Sequence, residues 1–291
     1  MSDSDAAFRM KVVLMGSLAV AAVAVAFAFP RFGQDPSYHN FADRRSFAGI
    51  PNLLNVASNL VFAVAGLLGL RFVWNNDGAF AEQWERIAAA LLFSSTILVA
   101  AGSAYYHIDP NNQTLVWDRL PMTVAFMSLL ALLIGDRIGQ RAGRRLLGPL
   151  IVLGTGSVLW WRLTEGVGRG DLRPYALVQF FPMLAIPVML LLFPGRYNGV
   201  AGFGWVLGWY ALAKVFELLD HQIFAIGGVV SGHTLKHVAA GIAVLQVWRA
   251  MRQRGFRAKG ASQLPDTIPA GRKETAPSGI SLLRRLEAPW N

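Results

Sequence analysis

Eight stretches of this chain stay apolar over about 17 to 23 residues each, long enough to carry a helix across a hydrocarbon core of roughly 30 Å. They are residues 11–30, 52–74, 86–107, 118–135, 147–163, 174–193, 200–219 and 232–251. Inside lipid no water is at hand for the backbone, so a crossing segment must satisfy its N–H and C=O groups internally, as a helix does. The expected architecture is an all-α integral membrane protein. Composition agrees, with 54% hydrophobic and 15% charged residues where a soluble domain carries about 25% charged. Asp109-Pro110, Phe193-Pro194-Gly195 and Gly227-Gly228 mark joins, whereas Pro121, Pro182 and Pro187 fall inside spans and should kink them.

The organisation that follows is a short cytoplasmic N-terminus (1–10), a first span (11–30), a membrane domain holding the other seven spans (31–251) and a flexible basic tail (252–291). The first span is alanine- and valine-rich with Arg9 ahead of it, as in a signal peptide, but its apolar length fits a retained span better. The net charge of +10 is concentrated at the end: from Arg249 onward nine Lys or Arg stand against three Asp or Glu. A basic tail directly after a span reads as a cytoplasmic, headgroup-binding signal, not as a nucleic-acid site. Within it, residues 280–286 can form a short amphipathic turn. Basic residues on alternate loops, among them Arg71, Arg137, Arg141, Arg144, Arg145 and Arg196, place both termini in the cytoplasm. The loops near residues 37–49, 108–117, 165–173 and 220–231 then face the exoplasmic side. Nothing in the sequence fixes an oligomeric state.

Ionisable side chains inside a bilayer are costly unless paired or hydrated, so each marks a function by default. Ser103 and His107, in Gly-Ser-Ala-Tyr-Tyr-His, lie four apart on one helical face at the end of the third span. His233 and His237 repeat that spacing at the start of the last span, and Asp118 opens the span between. By parity alone, these three span ends share one membrane face. With no cysteine in the chain, a metal here must take nitrogen and oxygen ligands. Three imidazoles would leave a fourth tetrahedral position open, which suits a catalytic zinc. A single His-x3-His pair is more often structural or haem-ligating, and that alternative stands beside the zinc reading at this point. His39, in a loop without an evident partner, and His221 read as interfacial hydrogen bonders. Arg119 reads as a headgroup contact or the partner of an acid, and Tyr105, Tyr106 and Trp117 as an interfacial aromatic belt. Asp171, Arg173 and Gln179, and Glu217 with Asp220, read as hydrogen bonds between helices.

These groups resemble the alkaline ceramidase family, within the membrane hydrolases that include the adiponectin receptors. The likeness rests on the Ser103/His107 pair, Asp118 and the His233/His237 pair, and on Gly49-Ile50-Pro51-Asn52 with Asn55, Ser58 and Asn59, which is similar to the family's entry into its first core helix. It covers residues 41–249. The resemblance implies a seven-transmembrane-helix core, with residues 11–30 as one additional N-terminal helix. It implies that His107, His233 and His237 bind Zn2+, that Asp118 and Ser103 act beside the metal, and that the substrate is a ceramide-like membrane lipid cleaved at its N-acyl bond. The family's acidic calcium site has no counterpart, because residues 41–52 contain Asp43 as their one acid. Two other functions fit the same residues: a receptor-like protein with a structural or slow-turnover zinc site, and a zinc-dependent lipid ester hydrolase.

Overall fold

The computed structural model describes residues 3–198 and 201–255. Its helices are α1 (Asp3–Ala28), α2 (Leu53–Ala57), α3 (Leu60–Asn75), α4 (Gln83–Ile108), α5 (Leu115–Arg137), α6 (Gln140–Gly166), α7 (Arg173–Leu192), α8 (Ala201–Leu218), α9 (Asp220–Gly227) and α10 (Gly232–Gln253). The described residues contain no strand beyond an isolated bridge between Phe47 and Ile50. Of the tail expected over 252–291, residues 252 and 253 end α10, while the part beyond residue 255, including the turn at 280–286, lies outside the described residues.

Six segments are long and apolar enough to cross a membrane by length and composition: α1, α2 with α3 taken together, α4, α5, α6 and α7. They mark the chain as a multi-pass membrane protein. The expected count was eight, and the shortfall falls on α8 and α10. The reason is local, since α8 carries Lys214 and Glu217 while α10 begins with His233, Lys236 and His237. Arg249 and Arg252 dilute the far end of α10 as well, while the other residues named belong to the site described below. The exoplasmic loop expected over 220–231 is also partly helical, because α9 fills it and ends at Gly228 in the left-handed conformation, φ 64°.

Backbone packing runs α8, α10, α3, α4, α5, with α6 and α7 both against α5 and α1 lying on α7. In α1 only Met15 is buried. Its exit is latched to the start of α7, where Arg173 donates to the Phe29 carbonyl at 3.0 Å and the Leu172 amide to that of Phe32 at 2.9 Å. Leu92, Phe93, Leu132 and Met251 belong to the largest apolar core, joining α4, α5 and α10. Between α7 and α8 a side-chain bridge spans the gap, Gln179 donating to the Tyr210 hydroxyl at 3.2 Å. A cavity of about 460 Å³ lies there, reaching from that gap to Ser103, Asp118 and His237.

Candidate metal centre

Helix α4 ends on His107, and α10 presents His233 and His237 from its first two turns. Each of the three offers a ring nitrogen, and all lie within 4.8 Å of one another. All three side chains are buried. The Nε2 atoms of His107 and His237 are 3.3 Å apart. Two imidazole nitrogens sharing one tetrahedral ion at about 2.1 Å would lie about 3.4 Å apart, so the spacing is that of co-ligands. His233 Nε2 is buried with no hydrogen-bond partner, an arrangement that costs about 1–3 kcal/mol unless something binds it. The group can therefore hold a metal ion, and three neutral nitrogens suit a borderline first-row cation.

The ligand orientations are set by the α2 entry. Asn52, left-handed at φ 50°, donates from its side-chain amide to the His107 carbonyl at 2.8 Å, tying the end of α4 to the start of α2. Asn55 accepts from the Thr234 hydroxyl at 2.9 Å and so grips the first turn of α10. The Ser58 hydroxyl donates to the Asn55 carbonyl at 3.1 Å, which spends its one proton. Its oxygen is 2.8 Å from His237 Nδ1 and must accept there, leaving His237 Nε2 as a bare lone pair facing His107. Ser58→Ala should therefore weaken metal affinity by about ten- to a hundredfold with the fold intact, as losing an outer-shell partner does. Competition titration against a chromophoric chelator checks it, and unchanged affinity would refute the assignment.

Two glycines let the helices approach. A side chain at Gly102 would run into the Trp117 carbonyl where α4 crosses α5, one residue from both Ser103 and Asp118. A side chain at Gly232 would run into the Phe216 carbonyl and Asp220. Asp220 uses both oxygens as a staple, accepting from the His233 amide at 2.7 Å and from the Ala42 amide at 2.9 Å. That second bond draws the loop before α2 over the site, where Phe41 packs on His107 and His233 with ring centroids 4.7 and 4.5 Å away.

Ser103 and Asp118 are buried and line the cavity with His237, the serine hydroxyl facing the carboxylate. Of the surrounding polar residues, His39, Tyr106 and Arg119 depart from expectation. His39 has partners: Nδ1 is 2.9 Å from the Tyr106 hydroxyl and Nε2 is 2.9 Å from Asn112 Oδ1. Tyr106 is thus 1% exposed and no part of an aromatic belt, unlike Tyr105 and Trp117, which are exposed. Arg119 is 5% exposed and forms no ion pair with a carboxylate among the described residues. It donates to Gln34 Oε1 at 2.6 Å and lies over the rings of Trp161 and Tyr175. His221 bonds the Asn40 carbonyl at 2.9 Å.

Lys214 and Lys236, which line the cavity, were not singled out from the sequence. Both bind Glu217, at 2.6 and 3.1 Å. Tyr38 donates to the same carboxylate at 3.2 Å, and burial followed by the Glu217 charge pushes its phenol well above the usual range. Outside the cavity, Arg45 bonds Asp43 through two nitrogens at 2.8 Å each and holds that carboxyl below its ordinary range. Asp171 is engaged likewise by Arg173 at the start of α7. No protein-family model matches the sequence, and no curated protein matches it.

Proposed function

We propose that the chain is an intramembrane zinc-dependent amidohydrolase of the alkaline ceramidase type, cleaving the N-acyl bond of a ceramide-like lipid to a fatty acid and a long-chain amine. The observation that carries this reading is a cluster of three buried imidazoles of which one, His237, lines a largely apolar cavity together with the Asp118 carboxylate and the Ser103 hydroxyl. An acyl chain fits such walls, which include Leu92, Phe126, Met183, Ile186 and Val206. Asp118, Ser103 and His237 stand together where an amide would sit.

His107, His233 and His237 would hold the zinc ion, which when bound would supply Lewis acidity to a water and an acyl carbonyl at the site. Asp118 takes the proton of the attacking water and returns it to the departing nitrogen, so the C–N bond breaks as fatty acid and amine form. The Ser103 hydroxyl donates to the oxygen of the attacked carbonyl as charge develops there. Phe41 and the loop stapled by Asp220 limit competing water. In this reading α2 with α3, then α4 to α8 and α10, are the seven core helices, and α1 is the additional one. Both termini are cytoplasmic, the site is exoplasmic, and lipid enters sideways from the bilayer.

The test is turnover by purified, zinc-loaded protein on a panel of N-acyl and O-acyl lipids. Fatty acid should be released from amide lipids at least about tenfold faster than from ester lipids, a modest difference in transition-state binding. A chelator should stop the reaction and zinc restore it. No release from any amide lipid would overturn the proposal, and faster release from esters would replace it with a lipid esterase.

A further inference from the structure

The charges around the cavity do not balance. Among the described residues its lining includes three cations, Arg119, Lys214 and Lys236, and two carboxylates, Asp118 and Glu217. Both lysines are held by Glu217. Arg119 has no carboxylate. One nitrogen, Nη2, donates to the neutral Gln34 side chain at 2.6 Å, while Nη1 is buried without a partner. The guanidinium is 4.5 Å from the Trp161 ring, 4.6 Å from Tyr175 and 5.5 Å from Tyr38. Aromatic faces hold it in place and leave its donors at the edge.

A buried guanidinium is ordinarily met by a carboxylate or phosphate, since a charge taken out of water needs both a counter-charge and hydrogen bonds. Here no hydrogen bond reaches Nη1, and no carboxylate forms an ion pair with the guanidinium among the described residues. We infer that Arg119 and Gln34 form a recognition subsite for one anionic group on the lipid, a carboxylate. A carboxylate matches the one guanidinium edge with two oxygens and a single charge, whereas a phosphate monoester brings about −1.5 to −2 and meets stronger repulsion from Asp118 and Glu217. Because Arg119 follows Asp118 directly in α5, the subsite adjoins the reacting end of the cavity and not the far end of the acyl channel. The carboxylate can come from the amine portion of an amide substrate or from a free fatty acid. The inference rests on the proposed hydrolase only for the first source.

The experiment uses the full chain, purified with its metal, and has two arms. In the first, equilibrium binding is measured for oleate, oleyl alcohol and oleyl phosphate, with no turnover required. Oleate should bind at least about tenfold tighter than the other two. Arg119→Gln should remove that preference while leaving oleyl alcohol within about threefold and metal content unchanged, and Arg119→Lys should restore part of it. In the second arm, hydrolysis of N-oleoylglycine is compared with that of neutral N-oleoylethanolamine. A preference of about tenfold in kcat/KM for the glycine amide, lost in Arg119→Gln, assigns the subsite to the substrate. A preference confined to oleate assigns it to the fatty acid. Oleate preference without turnover of any amide keeps the subsite and rejects the hydrolase. A preference that survives Arg119→Gln belongs to the metal, and it overturns the inference, as does equal binding of oleate and oleyl alcohol.

Discussion

Replacing Asp118 by Asn should leave the metal in place and cut turnover by about a hundred- to ten-thousandfold, the range a positioned acid-base group contributes. The change is nearly isosteric, so the first turn of α5 and its crossing with α4 at Gly102 should be undisturbed. Asn keeps an acceptor for the Ser103 hydroxyl. It cannot hold a proton between the attack on the carbonyl and the departure of the amine. The loss should therefore appear in kcat with little change in KM, which separates a missing proton carrier from a damaged binding site. Steady-state kinetics with elemental analysis of the same sample would show it. Wild-type kcat in a variant of full metal content would remove Asp118 from the chemistry.

The helices and the histidines could be read from the sequence because each is carried by a local pattern. Apolar runs of span length specify helices whatever surrounds them, and His-x3-His or Ser-x3-His fixes which side chains share a face. Parity then places α4, α5 and α10 ends together without any knowledge of packing. Legibility failed where the determining contact is long in sequence. His39 finds Tyr106 and Asn112 only because the loop before α2 folds back over the site, held by Asp220 from the far end of the chain. Arg119 looks like a headgroup contact until Tyr38, Trp161 and Tyr175 close around it. Lys214 and Lys236 are a different case, since the rule that flags ionisable residues within a bilayer applies to both. Their meaning lay in sharing Glu217, which spacing along α8 suggests only for Lys214. Phe41, wedged against two of the histidines, carries no signal in the sequence that marks it out from other loop phenylalanines.

His233→Ala should abolish the metal site. Its Nε2 is buried without any hydrogen-bond partner, as is Nδ1 of His107, so binding an ion is the role available to it. Removing one of three protein ligands leaves His107 and His237, which at 3.3 Å can share a proton as a simple hydrogen bond in place of a cation. Affinity should fall by about a thousandfold or more, beyond the ten- to hundredfold effect of an outer-shell loss, with turnover falling to the same floor. The backbone bond from His233 to Asp220 does not depend on the side chain, so α10 should keep its start and the variant should remain folded. The most direct measurement is the zinc content of wild type and His233→Ala after zinc loading and dialysis. The account predicts about one zinc per chain in the first and less than about a tenth of that in the second. Wild type that retains no zinc, or a variant that retains as much as wild type, would contradict it.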